Sequence, residues 1–270
     1  LNEAYAKYNN WLCVAAAYNA GQGRISTQLQ KQMVSQAADL WLVEETSRYM
    51  FRLLAAKAVI SNPQQYGFLM KREHLYPAIP YTEVKVTTGI ANLAQFAKDK
   101  GYMILTVTAA LCIGTSLPFL LGSSVLNPER QSVKSEIPYC VTSPTVPAKI
   151  AFAGQEVDLL RYDHRERMDR ELMSFTYMHS TTMLTIKRAN RYFPIIEPIL
   201  KANGIPDDFK YLAVIESVLN PLAKSPAGAA GMWQFMPATG REFGLEVNDN
   251  IDERYHVEKE TKAACKYLNE

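Results

Sequence analysis

Glu216 closes an apolar run. Tyr211-Leu212-Ala213-Val214-Ile215 leads into it and Ser217-Val218-Leu219-Asn220-Pro221 follows. Such a run suits a helix buried on every side and ended by its proline. A carboxylate at the end of that helix is costly to bury charged, so its proton affinity should rise. An acid that keeps its proton near neutrality can serve as a general acid. Taken alone, an ordinary helix-end glutamate would look the same. The next stretch adds weight: Ser225-Pro226-Ala227-Gly228-Ala229-Ala230-Gly231-Met232-Trp233-Gln234-Phe235-Met236-Pro237. Its small residues let backbone approach closely. Trp233, Phe235 and Met236 offer flat apolar walls, and Gln234 offers an amide among them. An acid beside apolar walls and a few polar anchors describes a sugar-binding cleft.

The elements that must hold these residues are helical in pattern. Residues 1 to 8 begin a helix in mid-pattern, and Trp11 to Tyr18 is an apolar helix closed by Gly21 and Gly23 as breakers. Residues 39 to 60 read as a further helix carrying Tyr49, Leu53 and Leu54, ended at Asn62-Pro63. Residues 82 to 86 suggest a strand and residues 90 to 100 an amphipathic helix. From Val157 one long helix carries Leu159, Met168, Leu172 and Phe175. Another spans 182 to 200 and should break at Pro194 and Pro198. Gly204 and Pro206 mark a turn before the helix of Glu216. A short helix over 238 to 244, a polar loop over 249 to 255 and a last helix over 257 to 270 complete the chain.

Glu216-Ser217 followed by Ser225-Pro226-x-Gly228-Ala229-x-Gly231-x-x-Gln234-x-Met236-Pro237 resembles the signature of the lytic transglycosylases related to goose-type lysozyme. Gly231-Met232-Trp233-Gln234 stands where the family usually has Gly-Leu-Met-Gln. Ala17-Tyr18-Asn19-Ala20-Gly21-x-Gly23-Arg24 is similar to a second motif of that family, and Glu45-Thr46-Ser47-Arg48-Tyr49-Met50 to a third. The resemblance implies a mainly α, lysozyme-like transglycosylase SLT domain. In it Glu216 would be the catalytic acid, with Ser225, Gln234, Met236, Tyr18, Asn19 and Tyr49 holding the sugars. Tyr18-Asn19 as a plain helix end and Tyr49 as ordinary core are the readings the residues alone also allow.

In the family the Glu-Ser segment precedes the Ala-Tyr-Asn-Ala-Gly segment, whereas here it follows. Leu268-Asn269-Glu270 repeats Leu1-Asn2-Glu3, so the two ends are expected to be neighbours in a circularly rearranged domain. Residues 1–97 would be the C-terminal part of the SLT domain and 151–270 its N-terminal part with the acid. Between them, 98–150 would hold a signal-like apolar segment and a Pro/Ser-rich linker. Residues 103 to 122 carry no charge, long enough to span a membrane and equally patterned as a secretory signal. This run offers a route to membrane association. If Tyr18 and Glu216 share one cleft, however, it cannot be an ordinary internal span and should lie peripheral to the domain.

Composition sets the remaining bounds. At 270 residues the chain can bury a full core. With 29 Lys plus Arg against 27 Asp plus Glu, nothing points to nucleic acid. Cys13, Cys112, Cys140 and Cys265 are too scattered for a disulfide scaffold, and none has metal-ligand spacing with His74, His164, His179 or His256. No metal site is expected, and the resemblance implies no cofactor. It implies as substrate the glycan strands of peptidoglycan and as location the exported, periplasmic or wider cell-envelope space; oligomeric state is left open.

Glu216 has no obvious carboxylate partner. Similar enzymes work with one acid, cleaving the bond between N-acetylmuramic acid and N-acetylglucosamine and leaving a 1,6-anhydro end. A lysozyme-type hydrolase with a second carboxylate and an inactive wall-binding protein are the rival readings.

Overall fold

In the computed structural model the described residues are 3–42, 44–78, 81–84, 95, 96, 99, 117–120 and 142–270. They fall into two units. The larger, residues 1–77 with 144–270, is a helical body. In the smaller, residues 78–143, β1 (Tyr81–Val84) pairs antiparallel with β2 (Leu117–Leu120). The expected strand over 82–86 is therefore present at its start. Most of the expected helix over 90–100, of the 103–122 run and of the linker lies outside the described residues; Gln95, Phe96 and Asp99 are helical. Within that run Leu117–Leu120 are extended. Among the described residues no helix is long and apolar enough to cross a membrane.

The helical body is organised around α4 (Glu44–Ser61). Met50, Phe51, Leu53, Leu54, Ala55, Ala56 and Val59 are all fully buried, because the helix is covered by others on several sides. Its neighbours include α2 (Trp11–Ala20), α5 (Tyr162–Tyr177) and α7 (Lys210–Ser217). The helix starts at residue 44, not 39. Gln32 explains this: its amide donates to the Trp41 carbonyl and accepts the Trp41 N–H, both at 2.8 Å. Trp41 is thereby paired as a strand residue would be, and a helix cannot pass through it.

α1 (Glu3–Tyr8) and α2 rest against α9 (Val257–Asn269), so the first and last described helices are neighbours. The Tyr18 and Tyr267 rings lie 5.1 Å apart. Asn10 caps α2 by accepting the Cys13 N–H, and Gly21 ends it at φ +83°. Gly23 is not a breaker: it lies inside α3 (Gln22–Gln32). α6 (His179–Ala202) likewise runs unbroken through Pro194 and Pro198. Each proline removes one ladder bond, and the burial of Ile186, Ala189, Ile196 and Leu200 offsets the loss.

Before α5 the chain forms a hairpin where the sequence suggested linker running into helix. β3 (Lys149–Phe152) and β4 (Gln155–Asp158) pair in register Lys149↔Asp158 to Phe152↔Gln155. Ala153 and Gly154 turn at φ +50° and +79°, the two left-handed residues of a tight hairpin. Gln155 Oε1 accepts the Trp11 N–H at 2.7 Å, and Asp208 accepts the Ala153 N–H at 2.6 Å. The hairpin thus binds the start of α2 to the approach of α7. The short helix expected over 238–244 is α8 (Pro237–Glu242).

Candidate active site

α7 carries Glu216 in its last turn. Every residue from Lys210 to Ile215 is buried, and so is Ser217, while Glu216 itself is half-buried. The helix can turn all its faces inward because its one cation, Lys210, is paired with Glu197 at 2.7 Å and Asp207 at 2.5 Å. It ends abruptly: Val218 and Leu219 are both left-handed, at φ +57° and +53°. Two β-region side chains held there store strain. Arg188 from α6 donates to the Val218 carbonyl at 3.0 Å and secures that end.

The Tyr49 hydroxyl, from α4, donates to Glu216 Oε1 at 2.7 Å. Arg52, one turn further along α4, donates to the Ile215 carbonyl at 3.4 Å. Burial raises the Glu216 carboxyl above its ordinary value, while the Tyr49 bond and the Arg52 charge pull it part of the way back. Burial, reinforced by the nearby Glu216 charge, lifts both the Tyr18 and Tyr49 phenols well above their ordinary range. They therefore stay protonated donors. The sequence-expected trio of Tyr18, Tyr49 and Glu216 is brought together, across a separation of nearly two hundred residues.

The turn after α7 is built on its own backbone. Ser225 accepts the Ala229 N–H on its hydroxyl at 3.0 Å and so closes the 225–229 loop. Ala230 bridges to Lys224 and Phe235. Gly231 has φ +85°, and a Cβ there would lie 1.8 Å from the Arg254 carbonyl oxygen and 2.4 Å from Glu260 Oε2. Only glycine fits. Gln234, itself left-handed at φ +54°, donates to the Gly231 carbonyl at 2.8 Å and the Ala223 carbonyl at 3.4 Å. Its donor end is thus engaged in the turn.

Trp233 and Phe235 are not cleft walls. They are 1% and 2% exposed, packed beneath the turn with the Trp233 indole N–H on Thr261 at 3.0 Å. Met236, 42% exposed at the start of α8, is the apolar surface this stretch offers. Asn19 is exposed on the last turn of α2. Tyr18 reaches the turn through its hydroxyl, which donates to the Trp233 carbonyl at 2.8 Å.

Four acids that the sequence places before and after the site are each paired with a cation. Asp208 holds Lys57 at 2.5 Å, Asp207 holds Lys210, Asp252 holds Arg254 at 2.7 Å, and Glu253 holds Lys259. The sequence reading missed Arg52, Arg188 and Glu260. Glu260 had a signal: it lies three, four and seven residues before Ala263, Ala264 and Tyr267, on the apolar stripe of α9.

The sequence that builds this arrangement, an acid on a buried helix facing tyrosines and a glycine-rich turn, is matched among known proteins. Residues 1–40 and 193–270 match the transglycosylase SLT domain family. These two stretches of the helical body are similar to a transglycosylase SLT domain. The matched residues are the two ends of the chain, and the fold packs them together through α1, α2 and α9. The chain is 35% identical over 121 residues to the membrane-bound lytic murein transglycosylase D of Escherichia coli K12, covering 44% of this chain and 26% of that protein. It is 38% identical over 79 residues to the peptidoglycan transglycosylase gp16 of Escherichia phage T7, covering 28% of this chain and 6% of that protein. The chain thus spans about a quarter of the E. coli relative's length and far less of the phage protein's. No solved structure matches it.

Proposed function

We propose that this helical body is a lytic transglycosylase of peptidoglycan with Glu216 as its acid, working in the cell envelope where that polymer lies. The observation that carries the proposal is the Glu216 carboxyl itself: half-buried, raised by burial and held by the Tyr49 hydroxyl at 2.7 Å. The two relatives are named as transglycosylases, and the family match over 193–270 includes the acid and the turn beside it.

Protonated Glu216 gives its proton to the oxygen bridging N-acetylmuramic acid and N-acetylglucosamine. The glycosidic C–O bond then breaks, and positive charge develops on the muramyl ring. The carboxylate left behind removes the proton of that sugar's 6-hydroxyl, whose oxygen attacks C1 and closes a 1,6-anhydro ring. One acid serves both steps, and no water is consumed. Tyr49 holds the carboxyl in one orientation through both protonation states. Tyr18, Asn19, Ser225, Gln234 and Met236 form the sugar-contacting rim, Gln234 and Ser225 chiefly by fixing the turn.

Mass spectrometry of purified peptidoglycan after digestion tests this. Anhydromuramic ends are expected, with turnover reduced about 10²–10⁴-fold in Glu216→Gln, the usual worth of a positioned acid. Reducing muramic ends would instead indicate hydrolysis, and near-normal lysis by a folded Glu216→Gln would refute the assignment.

A further inference from the structure

Glu260, in the first turn of α9, is completely inaccessible to solvent. Oε2 accepts the Trp233 N–H at 3.2 Å, and the Met232 N–H is also directed at the carboxyl. Oε1 has no partner among the described residues. Among the described residues no cation offsets its burial, which pushes the carboxyl well above the ordinary range. A leucine would fill this space without the cost of desolvating an acid. What leucine could not supply is an acceptor.

The need for one follows from the turn above it. Met232 and Trp233 are 0% and 1% exposed, so their N–H groups cannot turn to water and must find a protein partner. The left-handed Gly231 directs them downward, and the absence of a Cβ opens the hollow the carboxyl occupies. On the far side of the same residue, the Trp233 carbonyl accepts the Tyr18 hydroxyl. One backbone residue is therefore gripped from α9 below and from α2 at the cleft. Gln234 and Met236 follow directly after it.

Building on the transglycosylase reading, we propose that Glu260 is a positioning residue: it sets the Trp233 backbone, and through it the placement of Tyr18 and the Gln234–Met236 rim opposite Glu216.

The test compares Glu260→Leu, Glu260→Gln and Tyr18→Phe with the unmodified chain. Amide exchange of Met232 and Trp233 is followed by NMR, and kcat and KM are measured on purified peptidoglycan. Glu260→Leu should expose both amides and lower kcat/KM about tenfold, the size of one net hydrogen bond. Glu260→Gln, which keeps an acceptor oxygen, should restore both readouts to within about twofold. Glu260→Leu combined with Tyr18→Phe should lose no more than the worse single variant, because both act through Trp233. If Glu260→Leu does not fold, Glu260→Met, an unbranched apolar side chain of similar length with no oxygen acceptor, is read the same way. Unchanged amide protection in the Leu or Met variant, a Gln variant as impaired as Leu, or strictly additive losses would each overturn the proposal. A chain inert on peptidoglycan would sink the transglycosylase reading alone; the amide exchange would still decide the role of Glu260.

Discussion

Replacing Gly231 by alanine tests the turn that shapes the cleft. Two costs add there. A left-handed backbone at φ +85° disfavours any L side chain, by about 1–2 kcal/mol. The new Cβ would also lie 1.8 Å from the Arg254 carbonyl oxygen, a backbone atom that cannot swing away as a side chain could. Overpacking of that kind costs about 1–3 kcal/mol more. In a body of about 200 residues, a loss of about 2–5 kcal/mol lowers the melting temperature by about 4–20 °C. Gly228 supplies the control. Its φ is +93°, but nothing lies within 4 Å of its Cβ position, so Gly228→Ala should show the conformational cost alone. Calorimetry of both variants separates the two terms. If Gly231→Ala melts within a degree or two of Gly228→Ala, the Arg254 carbonyl yields freely and the close approach is not a constraint.

Two further substitutions probe the acid. Tyr49→Phe removes the donor that favours ionised Glu216, so its proton affinity should rise and the alkaline limb of the pH–rate profile should move upward; a limb that stays or moves down would contradict the geometry. Glu216→Gln addresses stability: because burial raises the folded carboxyl above its unfolded value, the folded chain binds the extra proton, and stability present at low pH is lost as pH rises through the raised value. The melting temperature should therefore fall less steeply as pH rises above the ordinary carboxylate range in Glu216→Gln than in the unmodified chain, and equally steep falls would count against the raised carboxyl.

What the sequence disclosed, and what it hid, depended on whether the signal was local. An uninterrupted apolar run before Glu216 predicts a helix buried all round, and α7 is one. The β3–β4 hairpin was hidden because its strands are four residues each, too short for alternation to outweigh the neighbouring linker and helix patterns. Pro194 and Pro198 argued for breaks that the packing of α6 overrides. Trp233 was misplaced for a different reason. Residue type announces a large apolar surface, but only the left-handed turn at Gly231 decides that this surface faces the core instead of the substrate.

The same distinction explains how the acid comes to be poised. Its own helix supplies only burial, which favours the proton. The opposing influences, the Tyr49 hydroxyl and the Arg52 charge, both come from α4, a helix that the sequence places more than 150 residues away. A proton held by burial alone would be hard to release, and a carboxyl held by Tyr49 and Arg52 alone would give it up too early. An acid that must first donate and then accept needs both influences on one group. That requires α4 and α7 to be pressed together, and the two helices do pack on each other, both rich in fully buried side chains. If Glu216 is the acid proposed above, the core of this body is part of its chemistry: a cavity opened between α4 and α7 would act on Glu216 before it unfolded the chain.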